Sequence, residues 1–461
     1  MMQLRIWQKN CVNAAIKHYK TKPHFFCLAT PASGKTMMAA ALSKNLKDLG
    51  LIDFVICFSP SVTVANSIKE TFGKILNARF DGVIGALGKS YTYQSMLHLN
   101  DEFWHILNTH RVLVIFDEIH HCAGDSDKNT NAWGEPILSH IKGKAAYTLA
   151  LSGTPWRSDT LPITLSDYSG INRQIKCDYI YGLSQAIQDQ VCRSPNIVLI
   201  DNESITVTKK DNEKQVFTSF IDLFNKKIIS YSELVKNETA LKYILGGAIN
   251  KLDDIRSLNP KAGGLIVASS VTHANAIYEL MTEYYNQDIV LVTHKQVNSA
   301  DIINNFRLSQ QAWIVSVGMI SEGTDIPRLQ VCCHLSRVKT ELYFRQILGR
   351  VLRMTKSNNE QAWLYTFSEP QLSEYAHRLN QEIPEQNIIV SDSFAIHEAK
   401  NNINNSSETL KGTPSDEANQ QQEIYLTNAE STIEKISMHT AKMFISDNFR
   451  QQIIATFQSP F

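Results

Sequence analysis

Residues 112–121 read VLVIFDEIHH, and the way this stretch ends decides the fold. Val112 to Phe116 form a continuous apolar run with no polar alternation, as a strand does when both faces of its sheet are covered. The run leads directly into Asp117 and Glu118. A buried strand that ends so delivers two carboxylates to the edge at which open α/β sheets bind their ligands.

Working outward, similar runs recur at FFCLAT (25–30), FVICFSP (54–60) and AYTLALSGT (146–154). Between them lie amphipathic stretches such as KTMMAAALSKNLKDLG (35–50), closed by Gly50 as helices commonly are. Strands separated by helices predict a parallel sheet covered on both faces. The pattern returns at GGLIVASS (263–270), IVLVTH (289–294), AWIVSVG (312–318), VCCHLS (331–336) and AWLYTF (362–367), which predicts a second α/β unit. The apolar spacing of 202–255 predicts a helical insertion. Residues 401–423 have almost no large apolar side chains and read as a flexible linker.

ATPASGKT (29–36) follows the first of these strands and opens a helix. Backbone N–H groups at such a helix start cradle phosphate oxygens, Lys35 would reach the β- and γ-phosphates, and Thr36 would ligate Mg²⁺. The usual opening glycine of this pattern is Ala29, which the loop tolerates if φ there stays negative. Asp117 would hold the Mg²⁺ and Glu118 would polarise the attacking water.

The formal net charge is zero. From Thr366 onward there are 13 acidic and 6 basic side chains, so the preceding residues carry a compensating positive excess. A mildly basic body leaves a polyanion ligand open. The eight cysteines form no C-x-x-C pair, which argues against a zinc site or a disulfide framework and fits a cytoplasmic protein. No apolar run is long enough to span a membrane, and the first residues lack a signal-peptide pattern.

These motifs resemble, in order, those of superfamily 2 DExH-type helicases and translocases, in particular the helicase portion of type III restriction enzymes. The resemblance covers roughly residues 1–368. LRIWQ (4–8) is similar to the Q motif, ATPASGKT to motif I, FSPSVTVANSI (58–68) to motif Ia, DEIH (117–120) to motif II and SGTPWR (152–157) to motif III. TYQS (92–95) is similar to a further nucleic-acid contact motif. GGLIVASSVTHANAI (263–277), SEGTDIP (321–327) and QILGRVLR (346–353) are similar to motifs IV, V and VI.

The resemblance implies two tandem RecA-like domains, at 1–170 and 171–368, with the insertion at 202–255. A C-terminal extension (369–400), the linker (401–423) and a helical tail (424–461) follow. It implies ATP and Mg²⁺ as ligands, with Arg5, Gln8, Ser33, Gly34, Lys35, Thr36 and Asp325 around the nucleotide. Arg350 and Arg353 would be arginine fingers, and His120, Ser152, Thr154 and Gln346 would couple the nucleotide to the other lobe. Nucleic acid, DNA in preference to RNA, would meet Ser61, Thr92, Gln94, Ser270 and Thr293. A protein partner would dock on the insertion or the tail. The implied function is an ATP-driven nucleic-acid motor of the kind that serves a prokaryotic or phage defence system, with an ATP-switched scaffold as the alternative. The region after Phe367 has no Asp…Glu-x-Lys cluster on strands, which argues against an intrinsic nuclease.

Overall fold

The structure is a computed structural model that describes residues 3–126, 129–154, 157, 161–169, 174–208, 214–296, 298–318, 324, 326–355, 361–380, 388–390 and 442–455. The first sheet takes β1 (His24–Ala29), β2 (Phe54–Ser59), β3 (Gly88–Thr92), β4 (Val112–Asp117) and β5 (Tyr147–Ser152). β6 (Tyr168–Ser169) and β7 (Gln174–Cys177) lie outside it, and β8 (Tyr179–Tyr181) rejoins it. Its order is β3-β2-β4-β5-β1-β8, every pairing parallel. All six strands therefore present their carboxyl ends at one edge. The core strands β1, β2, β4 and β5 are buried along almost their whole length, as unbroken apolar runs require.

Helix α1 (Ile6–His18) is pinned to this sheet by Trp7, whose ring stacks on Tyr181 at 4.6 Å. α2 (Lys35–Asp48), α3 (Val62–Leu76) and α4 (Tyr93–Met96) follow β1, β2 and β3.

The second unit begins with β9 (Ser194–Asn202) and continues through β10 (Ile205–Thr208), β11 (Lys214–Phe217), β12 (Gly263–Ala268), β13 (Ile289–Val292), β14 (Trp313–Ser316), β15 (Leu329–Leu335) and β16 (Gln361–Phe367). β17 (Ile388–Val390), β18 (Lys442–Ile445) and β19 (Phe449–Ala455) complete the chain order. The main sheet runs β13-β14-β12-β15-β16-β9-β19, parallel except for β19.

Three expectations are corrected. The first unit extends past residue 170, because β8 pairs with β1 and its Tyr181 carbonyl accepts from the Thr30 N–H at 3.0 Å. The 202–255 insertion is not wholly helical: β10 and β11 pair as antiparallel strands before the helices begin. The signal is short, since Ile205 and Val207 are buried while Thr206 and Thr208 are half-buried, an alternation only four residues long. The described part of the tail is also strand. β18 pairs with β10, and β19 adds antiparallel to β9 from some 250 positions away. Apolar spacing that also suits a helix yields here to backbone hydrogen bonds with a distant edge.

Burial sets one stability prediction. His24, His273 and His334 are pushed down to about 4 by burial, and His120 is also held well below its ordinary value by burial. In the unfolded chain each would take up a proton as pH falls through about 6.5; in the folded protein His24, His273 and His334 resist this down to about 4, and His120 resists it as well. Stability present above pH 6.5 is thus lost on acidification, by up to about 1.4 kcal/mol per histidine per pH unit. Asp117, raised by burial, works in the opposite sense, but as one group against four. Calorimetric melting temperatures should fall from pH 7 to pH 5; a flat profile would contradict the neutral histidines.

Candidate active site

β1 ends at Ala29, which is still paired with Tyr181, and the turn into α2 follows. The positive φ values fall on Ala32 (67°) and Gly34 (96°), so position 29 makes no demand that only glycine could meet. Gly34 does. A Cβ there would lie 2.9 Å from the Gln8 amide nitrogen, in a left-handed conformation that side chains disfavour.

Two residues of the N-terminal motif brace this loop. Arg5 Nη1 donates to the Ser33 carbonyl at 2.6 Å and Gln8 Nε2 to the Gly34 carbonyl at 3.0 Å. Both grip the loop main chain. Ser33 Oγ is fully buried with no protein hydrogen-bond partner. An orphaned hydroxyl behind a ring of helix-start N–H groups fits a phosphate-bearing ligand.

Lys35 lies at the first turn of α2, 9% exposed, and its ammonium pairs with Glu118 Oε1 at 2.8 Å while also donating to the Ala29 carbonyl at 3.2 Å. Glu118 Oε2 accepts from the Gly153 N–H at 3.0 Å. Gly153 is itself packed against the loop, since a Cβ there would sit 3.2 Å from Lys35 Nζ and 3.1 Å from the Pro31 ring. Motifs I, II and III therefore close on one another. Burial works to raise the Glu118 carboxyl, but the Lys35 ammonium and the His120 ring outweigh it and hold it well below the usual range. Asp117 shifts the other way, raised by burial and then by the Glu118 charge. Asp117, buried beside the Glu118 carboxylate, would be favoured in its ionised form by an added cation. Asp117 and the Thr36 hydroxyl would hold Mg²⁺ there, with phosphate oxygens completing its shell. Glu118 has φ of 53°, a non-glycine residue in the left-handed region right after the strand.

His120 Nδ1 lies 2.9 Å from Ser152 Oγ and 3.4 Å from Thr154 Oγ1, and the Thr154 N–H donates to Ser152 Oγ at 3.1 Å. Arg157 donates to the His120 carbonyl. His120 is expected to link to the second unit, yet these contacts keep it inside the first. Asp325 and Trp156 lie outside the described residues.

From the second unit, the helix Glu341–Val351 meets the loop directly: a Cβ on Gly349 would fall 2.6 Å from Pro31 Cβ. Arg350, the next residue, donates to the Thr324 carbonyl at 2.7 Å, and Gln346 lies one turn earlier on the same side. Arg353 forms an antiparallel bridge with Cys192, whose thiol lies 3.7 Å from the Pro31 carbonyl. Burial, followed by the charge of Arg307, lowers the Arg353 guanidinium to about 10.

The expected strand-contact residues do not gather at this site. Ser61, Thr92 and Ser270 each cap a helix, accepting from the N–H of Val64, Ser95 and His273. Gln94 is exposed, and Thr293 is buried with its N–H bonded to Gln296 Oε1. Ser61 follows β2, Thr92 ends β3 and Gln94 follows it, on the same sheet edge as Lys35 but at its far end.

Arg193 carries no motif signal and is the residue sequence reading missed. It is fully buried and donates to the carbonyls of Leu329 (2.5 Å), Val351 (3.0 Å) and Pro327 (3.1 Å). One guanidinium thus ties the end of the Arg350 helix to the segment after residue 326. Arg193→Leu should cost about 3 kcal/mol or more, because three buried carbonyls lose their donor. Urea denaturation checks this, and a loss below about 1 kcal/mol would sink the idea.

Residues 1–157 match the family described as type III restriction enzyme, res subunit, and residues 247–355 match the helicase conserved C-terminal domain. An uncharacterized protein of Mycobacterium leprae is 28% identical over 394 residues, 82% of this chain and 64% of that protein. The chain thus spans a little under two thirds of that relative. The DNA 3'-5' translocase XPB2 of Sulfurisphaera tokodaii is 24% identical over 392 residues, 76% of this chain and 79% of the translocase. In fold, a fragment ascribed to the HsdR subunit of a type I restriction enzyme from Vibrio vulnificus superposes with a TM-score of 0.56 at 16% identity, over 85% of this chain and 69% of the fragment. The two parallel-sheet units are tandem RecA-like domains.

Proposed function

The chain belongs to the superfamily 2 helicases, related to the helicase portions of restriction enzymes, and from that premise we propose that it hydrolyses ATP to translocate along DNA. The observation that carries this reading is the meeting of both units on one phosphate loop. Lys35, Glu118 and Gly153 converge from the first unit, and the Gly349–Arg350 helix rests on Pro31 from the second. A nucleotide bound there touches both lobes, so its binding and loss are converted into movement between them.

Phosphate oxygens compete with Glu118 for the Lys35 ammonium. Once Lys35 turns to the phosphates, Glu118 is released as a fully ionised carboxylate able to orient and polarise a water. Thr36 and Asp117 would hold Mg²⁺, which would supply neutralisation of the phosphate charge. Arg350 and Arg353 would stabilise charge that develops on the transferred group. DNA is preferred over RNA as the track because the restriction-type match and the translocase relative both point that way. A role in a prokaryotic or phage restriction-type defence system follows the same likeness.

A protein partner expected on the insertion or the tail would meet one surface, since β10 and β11 of the former and β18 of the latter form a single sheet. The eight cysteines are all buried. No helix among the described residues is long and apolar enough to cross a membrane.

The test is steady-state ATP hydrolysis by the purified chain alone and with single-stranded DNA, duplex DNA or RNA, using Glu118→Gln as the blank. Strong stimulation by DNA supports the motor. Turnover indifferent to every polymer, or appearing only with an added protein, favours an ATP-switched scaffold.

A further inference from the structure

The segment 92–95, expected from the sequence to meet a nucleic-acid strand and exposed at Gln94, is joined to the Asp117–Glu118 peptide by one hydroxyl. Tyr93 is fully buried, and its OH donates to the main-chain carbonyl of Asp117 at 2.9 Å. That carbonyl belongs to the peptide unit between Asp117 and Glu118. Because a peptide unit is planar, holding its oxygen also sets the Glu118 N–H and the plane from which Glu118 departs into its left-handed conformation. The Tyr93 ring is fixed from behind by Trp133, stacked at 5.7 Å, which in turn stands edge-on to His121 at 6.0 Å.

The segment around Tyr93 is stiff. Ser95 N–H donates to Thr92 Oγ1 at 3.0 Å and Thr92 N–H to Ser95 Oγ at 2.9 Å, a reciprocal cap that moves as a unit. Ser59 Oγ lies within reach of the carbonyls of both Tyr91 (3.3 Å) and Ser61 (3.4 Å), linking this segment to the start of α3. With a single proton, it can donate fully to only one of them, so a shift of either loop is felt by the other. Gln94, between these fixed points, faces solvent.

We propose that Tyr93 is a positioning residue: it transmits occupancy of the 92–95 segment by a nucleic-acid strand to the Asp117–Glu118 peptide, and stimulation of ATP turnover by that strand runs through its hydroxyl. This rests on the translocase reading. Polymer at Gln94 and the α4 start displaces the capped unit, Tyr93 moves with it, and the Glu118 carboxylate is re-aimed without any contact between polymer and nucleotide.

The test compares the full chain with Tyr93→Phe, which removes one oxygen and keeps the ring. ATP turnover is measured against single-stranded DNA concentration, alongside binding of a fluorescent oligonucleotide. The variant should bind the oligonucleotide within about twofold of the parent, while the ratio of maximal to basal turnover falls about fivefold or more, the scale of a modest coupling between sites. A ratio kept intact, or basal and stimulated rates falling by one common factor, overturns the proposal and leaves Tyr93 a core residue. If Tyr93→Phe does not fold, Ser95→Ala loosens the same unit and should lower the same ratio; an unchanged ratio there also overturns it. A parent protein that no polymer stimulates overturns the translocase reading and this proposal together, whereas a stimulated parent with an equally stimulated variant overturns the proposal alone.

Discussion

Arg350→Ala is expected to leave ATP binding nearly unchanged and to lower turnover by about 10³-fold or more, the scale for a removed arginine finger. The geometry explains the division between binding and turnover. Arg350 sits on the last turn of its helix, immediately after the glycine that touches Pro31, so the helix delivers it to the edge of the phosphate loop. Its Nη1 is held by the Thr324 carbonyl at 2.7 Å, which limits its swing. On the proposed reading Lys35 and the α2 start would grip the ground-state phosphates from the first unit, and an arginine from the other unit would gain most when charge builds up on the transferred group. Turnover should therefore fall without a matching rise in the nucleotide dissociation constant. Single-turnover hydrolysis combined with binding of a fluorescent ATP analogue separates the two quantities. A loss smaller than about tenfold would exclude Arg350 from the reaction.

Glu118→Gln should hold ATP and trap the closed arrangement, with turnover below about a tenth of the parent and a loss of about 10²- to 10⁴-fold if Glu118 is the principal base. Gln retains one oxygen for Lys35 or the Gly153 N–H, so the shape of the site survives. What goes is the negative charge that orients and polarises water. In the free enzyme the Lys35 ammonium keeps Glu118 ionised far below neutral pH, so Glu118 itself is in its working form from pH 5 to 8, and a decline of parent turnover in that range is expected from Asp117, which burial raises, rather than from Glu118. The same substitution removes the charge that helps raise Asp117, whose carboxyl should then ionise at lower pH. Phosphate release measured from pH 5 to 8 checks both points. Variant turnover above a tenth of the parent would remove Glu118 from its assigned role.

Much of the site was legible in the sequence because its chemistry restricts residue identity. A lysine must follow the loop, and two carboxylates must end a buried strand. The spacing of those residues places them at the carboxyl ends of β1 and β4, which the observed sheet brings to one edge with only β5 between them. Gly34 and Gly349 were likewise legible as parts of motifs, although only the packing shows what each avoids: the Gln8 amide in one case and Pro31 in the other. The helix-cap roles of Ser61, Thr92 and Ser270 were not separable from strand contact, because a serine or threonine before a helix serves either purpose.

By itself, the sequence determined the two α/β units, the order of the motifs and the residues of the candidate nucleotide site, since apolar runs and ionisable side chains are local properties of the chain. Only the tertiary structure decided that β8 returns to the first sheet, that β19 closes the edge of the second against β9, and that β18 joins the insertion through β10. It alone gave Arg193 its three carbonyls and Tyr93 its bond to Asp117. Each of these rests on hydrogen bonds to distant backbone groups. A backbone donor or acceptor is present at nearly every residue, so nothing in the local sequence marks which partner it will find.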